Sequence, residues 1–301
     1  MPALSRLRCH IGLFCFALTL SAAAAPPNGN ASKVSFKTAD DYLIVVPVML
    51  NGAGPFNFIL DTGATQTIID PKLADQLGLL RLAQDTLVGP LEKTPVEIVH
   101  STSIALAGGT VQDLDLLVRT RPGGLPGKAR GILGEDFLAN FDLLLDYRHN
   151  AVELESGANH LSDLLGGEHL PLSLRGRMDE ANTTHRLVVI ARAPELGDRD
   201  VSLLLDSGAN SLYLFAGSRA LGTSARREDT SYSAVTGDSG ARVSRQPLRR
   251  LHFGSQSIAD IVVTAPESPI RMDTDGLMPT FVFQSIFISH TRHYVILNPT
   301  R

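Results

Sequence analysis

Cysteine is almost absent from this 301-residue chain; its two copies, Cys9 and Cys15, both lie within the first fifteen residues. Everything downstream must hold its fold without disulfides, by burial alone, which a chain of this length can do. Long apolar runs are equally scarce. Ile11–Leu20 (IGLFCFALTL) is the main one, and ten residues are too few to cross a bilayer as a helix. Excess positive charge is lacking too. The formal net charge is −4, so there is no electrostatic reason to expect nucleic acid as a partner. Helical periodicity is sparse. Apolar residues are not: at 44% of the chain, with 19% charged, they exclude disorder over most of its length.

What is present begins with a secretory signal. Arg6 and Arg8 give a positive start, Ile11–Leu20 the apolar stretch, and Ala22–Ala25 an A-x-A cleavage site. Residues 1–24 are therefore set aside as a signal peptide, and the protein is expected outside the cytoplasm, periplasmic or secreted. Cys15 is not a lipid-attachment cysteine, because Leu13 and Phe14 before it are not small. Removing Arg6 and Arg8 takes the basic count from 27 to 25 against 31 acids, a mature net charge of −6.

Internal duplication organises the rest. Phe58-Ile59-Leu60-Asp61-Thr62-Gly63-Ala64 recurs as Leu203-Leu204-Leu205-Asp206-Ser207-Gly208-Ala209, 145 residues on. Gly131-Ile132-Leu133-Gly134 recurs at the same offset as Gly276-Leu277-Met278-Pro279. Each copy is followed by an apolar run, basic residues and a last β-branched run. Strand patterns at Tyr42–Leu50 and Arg186–Ala191 precede the two Asp segments. Asn51–Pro55 and Pro194–Asp200 are the intervening turns. One short helix is predicted at Pro71–Gly78, capped by Asp70, and a second at Glu135–Asn140. The expected organisation is all-β: similar lobes at 33–155 and 168–301, joined by a Gly-containing linker at 156–167.

Each Asp ends a run of apolar residues, so its carboxyl is predicted at the end of a buried strand, where burial raises the pKa. Gly63 and Gly208 permit a tight turn or a close backbone approach. The hydroxyls of Thr62 and Ser207 can brace it. Two such carboxyls about 3 Å apart cannot both ionise and share a proton. The charged one can take a proton from water while the neutral one protonates a carbonyl oxygen, with no metal, cofactor or covalent intermediate.

The paired Asp-Thr/Ser-Gly-Ala motifs resemble the retropepsin-like branch of the aspartic proteases. Gly131–Gly134 resembles that family's second signature, and Pro47–Asp61 its bacterial members. The resemblance implies two acid-protease lobes related by a pseudo-twofold axis, with a cleft between them covered by hairpin flaps. It assigns catalysis to Asp61 and Asp206, with Thr62, Gly63, Ser207 and Gly208 supporting the catalytic loops. It implies an endopeptidase acting on peptides or unfolded protein. Flap candidates are Val88–Leu91 and Tyr232–Gly240. Pro279, where the first half has Gly134, departs from the pattern and predicts different packing there. Ala64 and Ala209 lack a hydroxyl that pepsin-like enzymes often place beside the Asp, which predicts an optimum above the strongly acidic range.

Rival readings are weaker. Gly237-Asp238-Ser239-Gly240 spells the trypsin-like nucleophile sequence, but that reading leaves the repeat unexplained. The segment reads better as a hairpin tip. A nucleotide loop is disfavoured by export. His290 and His293 fall on opposite faces of a predicted strand and are expected at the surface rather than as zinc ligands. The alternative from another class is an inactive peptide-binding protein that keeps the lobes. Both Asp residues in one chain favour a monomer.

Overall fold

The computed structural model describes residues 32–300, apart from 89–92, 120–123, 158–159, 175–177, 180–181, 184–185, 198, 216–225, 235–236 and 267–271. Residues 1–24, the expected signal peptide, lie outside the described residues, as do 89–91 of the first flap candidate and 235–236 of the second.

The chain is mostly β-strand with few, short helices. Two eight-stranded sheets carry most of it, and their strand orders match one for one. In the first, the order is Lys37–Ala39, Leu43–Leu50, Ala53–Leu60, Gly131–Leu133, Ile68–Ile69, Gly109–Val118, Lys93–Leu106, Arg81–Val88. In the second it is Ser173–Leu174, Leu187–Ala191, Val201–Asp206, Gly276–Pro279, Leu212–Leu214, Gln256–Pro266, Gly237–Phe253, Arg226–Ala234.

The repeat holds at the level of register. Ile59 pairs in parallel with Ile132, and Leu204 with Leu277, so both partners are displaced by the same 145 residues. Parallel neighbours in mid-sheet need both faces covered, which is why the Asp strands read as continuous apolar runs. Phe58 and Leu60 face one large core that also takes Leu203 and Leu205. Ile59 and Leu204 face the other way, into separate clusters of their own halves. The residue after Leu60 or Leu205 therefore emerges from a strand buried on both faces.

A third sheet takes strands from both halves. Its order is Ser32–Ser35, Ala151–Glu155, Asp142–Asp146, Ser285–Ser289, Tyr294–Leu297, Leu170–Pro171. Leu143 opposite Ile288 and Leu145 opposite Ile286 mark the seam between the halves. The helices are α1 at Pro71–Gln76, α2 at Glu135–Leu138 and α3 at His160–Leu164, the last within the segment 156–167 that runs between two strands of this sheet.

The predicted helices form as read. Asp70 caps α1 by accepting from the Leu73 N–H at 3.1 Å, Pro71 opens it, and Gly78 beyond it takes the left-handed φ of 60°. Asn51 and Gly52 both have positive φ (50° and 76°), the conformation a two-residue hairpin turn needs. Gly237–Gly240 opens a strand of a long hairpin, with Gly240 opposite Ser231 and Gly237 opposite Ala234. These four residues are paired strand of that hairpin rather than the tip that their turn chemistry predicts.

A second expectation is corrected. His290 is not a surface residue. It is buried, in the turn between Ser285–Ser289 and Tyr294–Leu297, with both ring nitrogens bonded into the first half of the chain. The predicted strand is broken there: His293 has a left-handed φ of 57°, and the two histidines belong to a turn rather than to opposite faces of one strand.

Candidate active site

The parallel register puts Asp61 and Asp206 at matching ends of their strands, and the two halves bring them together. Both carboxyls are buried, and each lies against the turn glycine that follows the other. Each is fixed by the turn that follows it. Gly63 N–H donates to Asp61 Oδ1 at 2.9 Å, and Gly208 N–H donates to Asp206 Oδ1 at 2.7 Å.

The supporting hydroxyls cross over. Thr62 Oγ1 donates to the Leu205 carbonyl at 2.9 Å and accepts from the Ser207 N–H at 3.1 Å. Ser207 Oγ donates to the Leu60 carbonyl at 2.8 Å and accepts from the Thr62 N–H at 3.0 Å. Four buried bonds thus lock the two turns to one another, and each hydroxyl uses its donor and one acceptor position. The glycines allow the approach. A methyl group on Gly63 would lie 2.4 Å from the Asp206 carboxyl carbon, and one on Gly208 would lie 2.6 Å from Asp61 Oδ2. All six residues singled out in the sequence therefore meet at one place.

Electrostatics sets the protonation of the pair. Burial pushes the Asp61 carboxyl above the ordinary carboxylate range, against the backbone N–H groups of Gly63, Ala64 and Gly208. Burial pushes Asp206 well above that range, and the charge of Asp61 adds to it. The result is a pair that keeps one proton where separate carboxylates would have lost both.

Behind the turns the halves differ. In the first, Thr67 N–H and Oγ1 donate to the two oxygens of Asp136 at 2.8 and 2.6 Å, and Thr67 Oγ1 accepts from the Gly134 N–H at 3.1 Å. Burial raises Asp136 to about 6 against these bonds. The equivalent positions of the second half are Leu212, Phe281 and Pro279. Proline has no N–H to donate, so the expected difference in packing has a chemical cause. Phe281 instead stacks obliquely near Tyr42 of the first half, ring centres 5.9 Å apart. The repeat could not reveal Thr67 and Asp136, because the second half has no copy of either.

Thr67→Val is expected to destabilise the protein by about 1–3 kcal/mol, since it leaves the buried Gly134 N–H without this partner and takes one of two donors from Asp136 Oδ1, which keeps the Phe137 N–H. A urea titration checks this, and an unchanged midpoint would count against the brace.

A family model described as "Aspartyl protease" matches residues 46–137, a segment that runs through Asp61, the Gly131–Gly134 signature and most of α2. Over that segment the match supports the aspartic protease family read from the paired motifs. No curated protein matches the chain. Among solved structures, the chain is similar to a retropepsin-like aspartic protease from Rickettsia conorii, at 16% identity, covering 43% of this chain and 95% of that one with a TM-score of 0.33.

Proposed function

We propose that the protein is an aspartic endopeptidase that hydrolyses peptide bonds with water activated by Asp61 and Asp206. The observation that carries this reading is the meeting of two buried carboxyls, each held by its own turn and both turns locked together. A buried acid pair without a task only costs stability.

Backbone N–H groups support the charged form of both carboxyls, those of Gly63, Ala64 and Gly208 at Asp61 and those of Gly208 and Ala209 at Asp206. The charged member of the pair acts as base, taking a proton from water as the water oxygen attacks the scissile carbonyl carbon. Its protonated partner acts as acid, giving its proton to the carbonyl oxygen. Collapse of the resulting gem-diol breaks the C–N bond, the amine leaves with a proton, and the pair regains its single shared proton. The substrate is an extended peptide or unfolded protein, acted on by a monomer exported after cleavage of the first 24 or so residues.

The test is to incubate the protein with an unfolded protein substrate from pH 3 to 8, with and without EDTA. The expected result is cleavage unaffected by EDTA and a rate maximum above about pH 3, because Ala64 and Ala209 bring no hydroxyl to the carboxyls. Binding without cleavage at any pH would overturn the reading in favour of a peptide-binding protein.

A further inference from the structure

Among the side-chain contacts that cross between the halves, two involve equivalent positions of the repeat. Tyr147 OH meets Thr280 Oγ1 at 2.5 Å, and His290 Nε2 meets Glu135 Oε2 at 3.0 Å. Glu135 and Thr280 are equivalent in the repeat, 145 residues apart, and each directly follows the glycine or proline that ends a Gly131–Gly134-type signature. The two contacts differ in kind. Burial holds the Tyr147 proton far above any working pH, so the first contact does not titrate. The second contains a histidine and a carboxyl.

The geometry around His290 fixes the proton count of its contact with Glu135. Its Nδ1 lies 2.6 Å from the Phe141 carbonyl oxygen, which can only accept. Its Nε2 lies 3.0 Å from a carboxyl oxygen of Glu135. A neutral imidazole has one N–H and cannot donate to both. The contact therefore needs one proton more than neutral imidazole plus carboxylate. Written as imidazolium with carboxylate, or as imidazole with carboxylic acid, the count is the same. Glu135 in turn reaches the catalytic turn: its backbone N–H donates to the Ala64 carbonyl at 2.8 Å.

We propose that His290 is a positioning residue, held protonated between Glu135 and Phe141, that ties the second half of the chain to the turn carrying Asp61, and that loss of its proton releases this tie and sets an alkaline limit on the site. The groups facing the ring support this. Glu135 of α2 is in contact and Asp136 is next to it in sequence. Asp142, on the strand Asp142–Asp146, accepts from Ser289 Oγ at 3.0 Å and from Thr291 N–H at 3.1 Å, on either side of His290 in sequence. Arg292 is turned toward Asp163 of α3, at 3.7 Å. Burial opposes charge on the ring, but the bond and charge of Glu135, the Phe141 carbonyl and Asp142 outweigh it, so the histidine titrates above its ordinary range. A raised value stabilises the fold fully below the unfolded histidine value near pH 6.5, and that stabilisation is lost as pH rises through the folded value.

The test compares wild type with His290→Gln, whose amide can donate to Glu135 but does not titrate. Ring 15N chemical shifts of wild type at pH 6 should report both nitrogens protonated. Across the window above the ordinary histidine value, the unfolding equilibrium constant of wild type should rise about tenfold per pH unit relative to His290→Gln, the slope of one proton. The proposal rests on the hydrolase reading only for its third readout: kcat of wild type should fall on the alkaline side with KM little changed, and His290→Gln should keep only the limb set by proton loss from the carboxyl pair. A neutral-tautomer 15N shift at pH 6, or equal stability slopes in the two proteins, overturns the proposal. Both of those readouts need no substrate, so they stand or fall separately from peptide hydrolysis. Equal alkaline limbs in kcat would remove the positioning role.

Discussion

Asp206→Asn and Asp61→Asn should each abolish peptide hydrolysis while making the protein more stable near neutral pH. The two effects have one origin. The carboxyls are buried in contact with each other, and burial raises both above the ordinary carboxylate range. General acid–base action of a positioned side chain contributes about 10²–10⁴-fold to rate, and an amide can neither take the proton from water nor give one to the carbonyl. A loss of at least about 10³-fold is expected for either variant, assayed separately between pH 3 and 8. The stability change follows from linkage. A group whose folded pKa is raised stabilises the fold below its unfolded value and loses that contribution as pH rises through the folded value. Above that point the native state carries a buried charge that an amide does not. The melting temperature of each variant should therefore exceed that of wild type at pH 7, with the gain shrinking toward pH 3. Wild-type turnover in either variant would end the shared-pair reading. A melting temperature lowered equally at all pH values would show that the carboxyls are structural.

Gly63→Ala and Gly208→Ala should come next in severity. A Cβ at 63 would press on the Asp206 carboxyl at 2.4 Å, and one at 208 on Asp61 at 2.6 Å. Neither carboxyl can swing aside freely, because each is pinned by the N–H of its own turn glycine. The added methyl must push the halves apart or rotate a carboxyl off its bonds. Displacement of catalytic groups by about 1 Å can cost roughly 100-fold, so a fall of that order in kcat/KM is expected. The strands on either side are unaffected, so circular dichroism should be unchanged. An alanine variant with full activity would show that the turns do not approach this closely.

Much of this was readable in the sequence because it was written twice. The Asp strands, their turns and the parallel partners at Gly131 and Gly276 share one offset, and the structure keeps that offset in its strand pairing. The apolar runs before each Asp marked strands covered on both faces. What was not readable is what occurs once. Thr67 and Asp136 brace one turn, whereas the other has Leu212 and Phe281 in their place. His290 and Glu135 are 155 residues apart, and no pattern in either segment names the other. Strand periodicity made His290 a surface residue because periodicity assumes that the strand continues. The chain turns at that point, and the ring points inward to a partner in the other half.

The contrast between Thr67 with Asp136 and Leu212 with Phe281 bears on how such a site can change over time. An assembly of two identical chains must accept every substitution on both sides of its reactive centre at once. A replacement that suits one carboxyl and harms the other is closed to it. In this chain the two sides are encoded separately, so a polar clamp could be kept behind Asp61 while the support of Asp206 became apolar. Such freedom lets the surroundings of the two carboxyls be tuned apart.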